Sequence, residues 1–357
     1  MLYYVIYVYR ATYAPPPLAS PYFPFVSVVI AARNEAPNIE KCIHSILAQN
    51  YPPDKYEIIL VNDFSEDNTA KIAQKIAQNF PQFKVFSLEK NAGKKAAISY
   101  GILQAKGEII LQTDADCWAG KEWLTTIMSF FTEKTALVSG PVQLVSNDYH
   151  LFSQLQIWEF MGLNLLGGGA MNLGKPNMCN GANLAFRKAV FEEVKGFEGI
   201  DKVASGDDEL LLQKINALQK YEIHYAFAQA AIVQTLVQEA FMRFWRQRVR
   251  WVSKARAYQN RSINVTQILF FLAILGIPVL FCLGFWDKNM FSLAFFLFII
   301  KTCFDFPLMR KACHFFGQKF SFFTFICLEI SYIPYVSSIG IIGNFVQSYT
   351  WKGRKVK

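Results

Sequence analysis

From Phe25 onward the chain alternates short, continuous apolar runs with stretches of helical spacing, and that alternation leaves few folds open to it. The runs are Phe25 to Ala31 (FVSVVIA), Tyr56 to Asn62, Val85 to Leu88 and Ile109 to Leu111. Runs this short, apolar at successive positions, suit strands covered on both faces. After the first run Ile39, Ile43, Ile46 and Leu47 recur at helical spacing, and that helix should stop near Asn50, before Pro52 and Pro53. After the second, FSEDNT offers a capped start to a helix carrying Ile72 and Ile76. Further along, the pattern predicts a helix over Trp123 to Phe131 and a strand over TALVSGPVQLV, Thr135 to Val145. Repeated strand and helix predict an α/β, doubly wound, mostly parallel sheet with crossovers of the usual hand.

Sheets of this kind bind ligands beyond the carboxyl ends of their strands. The stretch GEIILQTDADC, Gly107 to Cys117, ends a buried run in two carboxylates, Asp114 and Asp116. Residues two apart on extended chain point the same way, so both can face one hard cation, and oxygen ligands suit Mg²⁺ or Mn²⁺. Asp63 closes the second strand in the same manner, and Lys94 and Lys95, following Asn91-Ala92-Gly93, open a helix where phosphate would be favoured. Each motif has an ordinary alternative when taken singly: solvated loop acids, a solvated lysine pair, and acids that cap a helix in Gly206-Asp207-Asp208.

Between Tyr149 and Phe186 the pattern changes. An amphipathic stretch around Leu155, Trp158 and Phe160 leads to Gly167-Gly168-Gly169 and a turn-rich region. Three glycines in a row suggest a mobile loop or a close approach to ligand, with a plain linker as the equal alternative.

The other half of the chain is of a different kind. The sequence is 53% hydrophobic and 16% aromatic, and nearly all continuous apolar sequence follows Asn264. Charge is segregated too: residues 1–235 carry 20 basic and 23 acidic groups, residues 236–262 carry 7 and 1, residues 263–351 carry 5 and 3, and the last six carry 4 and none. The excess of positive charge therefore belongs beside anionic headgroups, and the absence of a basic stripe on the first half argues against nucleic acid. Val265 to Trp286 is a 22-residue stretch without charge, long enough to span a bilayer. Met290 to Met309 is a second such stretch, in which Lys301 and Asp305 can pair at i, i+4, and Phe322 to Val346 is a third, interrupted by Glu329 and Pro334. Three spans would put the basic tail opposite the first half, against the positive-inside expectation, unless one segment is re-entrant. The seven cysteines form no C-x-x-C pair and should be reduced thiols. Before Arg10 the apolar start is too short to span and could be the end of a truncated anchor. The expected organisation is an apolar, Pro-rich segment 1–24, an α/β domain 25–235, a basic amphipathic helix 236–262, a membrane region of about three helices 263–351 and a basic tail 352–357.

On a helical wheel of 236–262, Phe241, Trp245, Val249 and Val252 form one stripe, while Gln247, Arg250, Trp251 and Lys254 fall on the other side. The stripe would lie in the membrane interface and the opposite face would close a site.

Asp63, Asp114-Ala115-Asp116, Gly206-Asp207-Asp208 and Gln247-x-x-Arg250-Trp251, in this order, resemble the motifs of family-2 glycosyltransferases of GT-A fold. The match covers roughly residues 25–255 and is closest to the membrane-bound subgroup with a Q-x-x-R-W motif, which includes cellulose, chitin and hyaluronan synthases and ceramide glucosyltransferases. The resemblance implies that Ala31, Arg33 and Glu35 lie at the nucleoside edge, although many relatives have P-x-Y-N-E where this chain has A-A-R-N-E. It further implies that Asp63 contacts the uracil or ribose, that Lys94 lies near the nucleotide, and that Asp114 and Asp116 serve the diphosphate, Asp116 as direct metal ligand with Mg²⁺ or Mn²⁺. Asn180 and Gly181, with Asp207, would line the acceptor and sugar pocket. Asp208 would be the general base of an inverting transfer, with Gln247, Arg250 and Trp251 completing the catalytic set. The partners implied are a UDP-sugar, a lipid or lipid-linked glycan acceptor and a membrane, with the catalytic domain on the cytosolic side of a bacterial inner membrane. Two other functions compete. One is a processive synthase of the same family, for which three spans per chain are few unless chains form a homo-oligomer. The other is a sugar-nucleotide-binding scaffold without turnover.

Overall fold

The computed structural model describes residues 23–200, 206–253, 261–345, 349–351 and 354–356. The apolar start and Lys254 lie outside the described residues. The central sheet is built from β1 (Val26–Ala32), β2 (Tyr56–Asn62), β3 (Phe83–Ser87), β4 (Ile109–Asp114), β6 (Thr135–Ser139), β8 (Leu184–Arg187) and β9 (Glu222–Tyr225), in the order β3-β2-β1-β4-β8-β6-β9. Every residue of β2 is buried, and β1 and β4 are buried over nearly their whole length, as strands covered on both faces require. Only β8 runs against its neighbours, so the sheet is mostly parallel, as the alternation predicts.

Helices α1 (Ile39–Leu47), α2 (Thr69–Ala77), α3 (Lys94–Gln104), α4 (Trp123–Met128), α6 (Lys188–Glu193) and α7 (Asp207–Ala217) cover the sheet. Two apolar layers result. One places α1 and α4 residues such as Ile43 and Trp123 against Val28 and Ile58, and the other packs α3 and α7 residues such as Ile98 and Leu211 on Val29 and Ile110.

Register decides where the acids go. Ala31 of β1 lies beside Asp114 of β4, and Ala32 lies beside Asn62 of β2, so the carboxyl ends of three parallel strands finish level. Because β8 is antiparallel to β4, with Gln112 opposite Leu184, the residues before Leu184 also fall at that end.

Three expectations are corrected. The run Thr135 to Val145 is two strands, since Gly140-Pro141 breaks it: β6 stays in the main sheet and β7 (Val142–Val145) joins β5 (Trp118–Ala119) and β10 (Val233–Leu236) in a second, three-stranded sheet. The glycine triplet is neither loop nor linker but lies inside the 22-residue helix α5 (Leu151–Asn172). The approach its glycines permit is to protein: a Cβ on Gly167 would come within 2.4 Å of Met178, and one on Gly168 within 2.5 Å of the Tyr225 ring. The helix expected over 236–262 begins later, because Leu236 still belongs to β10. It is described as α8 (Phe241–Ser253); residues 254–260 of the expected helix lie outside the described residues, and α9 is described from Arg261.

Helices α9 (Arg261–Leu283), α10 (Lys288–Phe315) and α11 (Phe322–Phe345) are long and apolar enough to cross a membrane. Lys301 meets Asp305 at 2.7 Å as the i, i+4 spacing predicts, and Glu329 of α11 joins them at 2.6 Å. The end of α10 returns to the sheet domain, where Leu308, Met309 and Ala312 pack on Ile157, Trp158 and Met161 of α5. A two-stranded hairpin pairs β11 (Tyr349–Trp351) with β12 (Arg354–Val356).

Candidate active site

At the level carboxyl ends of β1, β2 and β4 opens a cavity of about 1930 Å³. Its floor holds a cluster of opposite charges. Lys94, the first residue of α3, places Nζ 2.6 Å from Asp114 Oδ1 and 3.4 Å from Asp207 Oδ2, and Gln112 Nε2 donates to the same Asp207 oxygen at 3.0 Å. Burial alone would lower the Lys94 pKa, but Asp114 and Asp207 more than offset it and hold the ammonium well above its ordinary value. Burial would raise the Asp207 carboxyl; Lys94 and then the Gln112 hydrogen bond outweigh that, and it lies below its ordinary value.

The two acids at the start of α7 differ in surroundings. Gly206, in the left-handed region at φ 78, turns the chain into the helix. Asp207 is buried beneath Lys94 and Gln112, whereas Asp208 is half-buried and lines the cavity. Asp208 accepts from the Gly181 N–H at 2.9 Å and from the Glu209 N–H at 2.7 Å. Gly181 is confined from the other side as well, since a Cβ there would lie 2.7 Å from Gln112 Nε2 and 3.2 Å from Asp207 Oδ2. Asn180 Oδ1 accepts from the Ala182 N–H at 3.0 Å, which closes the turn that presents Gly181.

Asp116 is half-buried and lines the cavity beyond Asp114. Among the described residues no three or more His, Cys, Asp or Glu side chains are gathered to hold a metal ion. Among the described residues Asp114 and Asp116 are the pair of carboxylates set at this strand end for a cation, Asp114 being also bound by Lys94. A hard cation that takes one or two carboxylates and completes its shell with phosphate oxygens and water fits this donor set. Cys42 and Cys117 are buried nearby, and burial, then Asp116 and Asp114, push both thiols well above their ordinary value, which keeps them protonated and inert.

The residues expected at the nucleoside edge face the cavity but are occupied by the protein. Asp63 uses both carboxylate oxygens on the N–H groups of Ala92 and Gly93, at 2.8 and 3.0 Å, and so fixes the loop that leads to Lys94. The Arg33 guanidinium donates to the carbonyls of Asp63 and Phe64 and to Glu66. Glu35 accepts from Asn38 Nδ2 at 2.9 Å, and Ala31 lines the cavity floor beside Asp114.

Helix α8 forms one wall, to which Gln247, Arg250 and Trp251 all contribute. Its apolar stripe is only partly free. Phe241 is exposed, but Val249 is buried and Val252 lies against Gly343 of α11. Trp251 packs in the protein, with its ring 5.8 Å from Phe160 and the Arg248 guanidinium 4.1 Å from its centre.

Sequence reasoning missed Gln112, Glu159, Arg248 and Tyr335. Arg248 is buried, pairs with Glu159 at 2.5 Å and lies between the rings of Phe244 and Trp251; Glu159 also accepts from the Tyr335 hydroxyl at 2.9 Å. A polar Gln112 in a buried strand was a readable signal. Glu159 and Tyr335 gave none, because their partner is far away in the chain.

Residues 27–195 match the family model described as Glycosyl transferase family 2. The chain is 31% identical over 193 residues to Glycosyltransferase AglE of Haloferax volcanii, covering 52% of this chain and 59% of that protein. It is 30% identical over 229 residues to the Poly-beta-1,6-N-acetyl-D-glucosamine synthase of Staphylococcus epidermidis, covering 63% and 53%. The chain thus spans between 53% and 59% of the length of these curated relatives. Its fold is similar to that of a mannosyltransferase, PcManGT from Pyrobaculum calidifontis, solved with GDP-Man and Mn²⁺, with a TM-score of 0.61, 20% identity, and 96% of this chain and 93% of that one covered. The family match, carried on a GT-A-type sheet whose strand ends gather the acids, identifies residues 27–195 as a Glycosyl transferase family 2 domain.

Proposed function

We propose that the chain transfers a sugar, with inversion, from a UDP-sugar to a lipid-linked acceptor presented at a membrane. The observation that supports this most is the continuity of the cavity, which runs from Asp114 and Asp208 past α8 to Phe271 of α9 and Ile339 of α11. An acceptor with an apolar chain could lie against those helices while its hydroxyl reaches Asp208. There the Asp208 carboxylate, oriented by the Gly181 and Glu209 N–H groups, takes the hydroxyl proton as the new bond to the anomeric carbon forms and the bond to diphosphate breaks. General-base help of this kind is worth roughly 10²–10⁴ in rate. Asp116, with Asp114, would hold Mg²⁺ or Mn²⁺, which when bound supplies positive charge against the departing diphosphate. Lys94 keeps Asp114 and Asp207 fixed, Arg250 and Gln247 face the leaving group from α8, and Asn180 and Gly181 shape the sugar pocket. The catalytic domain would face the cytosol, where nucleotide sugars are found.

One specific observation favours a second reading: the relative named as a poly-N-acetylglucosamine synthase points to polymer as the product. A single experiment separates the two. Purified protein in detergent is given radiolabelled UDP-sugars and Mn²⁺, with and without lipid extract, and products are sized. Label should enter the lipid fraction only when lipid is added. Long water-soluble chains formed without lipid would overturn the lipid-acceptor reading in favour of polymerisation. In the same assay Asp116→Ala should abolish transfer and weaken Mn²⁺-dependent UDP binding; unchanged turnover would remove the metal site from the proposal.

A further inference from the structure

Among the described residues three helices have the length and composition to cross a membrane, but their mutual packing is not that of three parallel spans. Helices α9 and α10 form an antiparallel hairpin, closed at its turn by the Phe281, Phe285 and Phe291 rings, whose centroids lie 5.2 to 6.1 Å apart. Its outer face is apolar and exposed, from Val265 to Trp286 on one arm and from Leu293 to Ile300 on the other. At about 1.5 Å per residue the first arm measures roughly 30 Å, the thickness of a bilayer's hydrocarbon core.

Helix α11 relates differently to this hairpin. Phe271 on α9 and Lys301 on α10 lie at about the same height, each roughly fifteen residues from the turn and so about 22 Å above it. Helix α11 touches both. Glu329 binds Lys301 at 2.6 Å, and a Cβ on Gly340 would lie 2.1 Å from the Phe271 ring. Some 16 Å of helix separates Glu329 from Gly340, yet both meet the hairpin at one level. Helix α11 therefore runs across the hairpin and not along it, with Pro334 between the two contacts, where a helix can bend.

The second half of α11 has another companion. Phe244 of α8 stacks on Tyr335 at 5.4 Å, and Val252 lies 2.8 Å from the Cβ position of Gly343, so the two helices run side by side in the same direction. Between those contacts α8 carries Arg246, Arg248 and Arg250, with Arg243 just before. Were α11 to follow the bilayer normal from Phe322, Tyr335 would lie about 20 Å deep and Gly343 about 31 Å deep. That would carry the arginines of α8, and the cavity they line, through the hydrocarbon, where arginine is strongly disfavoured.

We propose that, of the three long apolar helices among the described residues, α9 and α10 cross the membrane, and that α11 lies beside α8 at the headgroup surface on the catalytic side. The partner of that paired surface is an anionic bilayer face, matched by the exposed Arg243 and Arg246 of α8 and the exposed Ile341, Ile342 and Met242. With two crossings the chain leaves the membrane on the side from which it entered. The four basic groups of the last six residues then share the catalytic side, in keeping with the positive-inside rule.

The inference rests on the membrane reading of these helices and not on donor or acceptor, and its test uses no activity. The full chain bearing a C-terminal epitope tag is placed in sealed vesicles with catalytic domains outward, as judged by protease cleavage of that domain. The tag should be lost together with the catalytic domain, without detergent. In untagged vesicles Trp286→Cys, at the hairpin turn, should gain labelling by an impermeant maleimide over the wild-type chain only after detergent is added. A tag that survives until detergent while the catalytic domain is cleaved would mean three crossings and overturn the proposal. Labelling of Trp286→Cys in intact vesicles would overturn it as well, since the hairpin would not then cross.

Discussion

Replacing Lys94 by Met removes one positive charge and little volume from the floor of the cavity, and the consequence can be worked from its neighbours. Asp114 and Asp207 lose their ammonium partner, with Asp207 only 10% exposed and Asp114 33% exposed. Breaking a fully buried pair costs about 3–5 kcal/mol. Solvent at Asp114 screens part of that, so a loss of about 2–4 kcal/mol is expected at pH 7. At ~2–4 °C per kcal/mol for a domain of this size, the melting temperature of the detergent-solubilised protein should fall by roughly 5–15 °C. The effect has a defined pH window. The Asp207 carboxyl is held below its ordinary value, so its share of the stability is present above ~3.9 and disappears as pH falls through the depressed value. The Lys94 ammonium is held above its ordinary value, so its share is complete below ~10.4 and is lost only as pH rises through the raised value. Between those limits the loss should be flat. Asp207→Asn in the same background should restore about 1 kcal/mol or more relative to the sum of the single effects, because the uncompensated buried charge is gone. A Lys94→Met protein that melts within a degree of wild type, or a double variant with strictly additive loss, would refute the charge-cluster argument.

Two further outcomes follow from the geometry. Asp208→Asn should keep UDP affinity and lose transfer by about 10² or more, since the amide matches the carboxylate in shape but cannot accept the proton, whereas Asp207→Asn should act first on stability; titration calorimetry with UDP beside a transfer assay reads both, and the reverse pattern would move the base by one residue. Gly168→Ala should destabilise by about 1–3 kcal/mol through collision with Tyr225 and Phe227, while Gly276→Ala on α9, where a Cβ meets nothing within 4 Å, should be neutral or stabilising; thermal melts that rank them the other way would remove the close-approach account of the triplet.

The sheet was legible because its strands are buried on both faces, and a run such as Ile58 to Val61 needs no partner to be recognised. The placing of acids at strand ends was equally local: Asp63 and Asp114 stand within a few residues of Val61 and Leu111, the last apolar positions of their runs. The glycine triplet was misread for a physical reason. Gly167 and Gly168 are required by Met178 and Tyr225, whose positions only the fold determines, and nothing within the triplet itself tells a packed helix from a loop. Position 140 broke an apparent strand because Gly140 must pass the Asn183 side chain, again a contact between distant residues. Lys94 was read toward phosphate, while the structure ties it to Asp114 and Asp207. Arg248, lodged inside the Q-x-x-R-W motif, went unnoticed because its partner Glu159 stands on another helix. Side chains that meet their partners within a few residues could be read, and those that close over a long separation could not.

The small sheet carries a mechanical consequence. Strand β10 pairs through Gln234 with Trp118 of β5, two residues past Asp116, and through Val233 to Leu236 with β7, before the chain runs on into α8. Thr235 Oγ1 also donates to the Asp116 carbonyl at 3.3 Å. The Asp116 loop and the strand that leads into the helix carrying Arg250 are therefore strung on one backbone ladder, and the two cannot part without breaking inter-strand hydrogen bonds. A hinge between the Asp116 loop and β10 is therefore closed to this architecture, and any movement of α8 relative to the Asp116 loop has to come from the short stretch between Leu236 and Phe241.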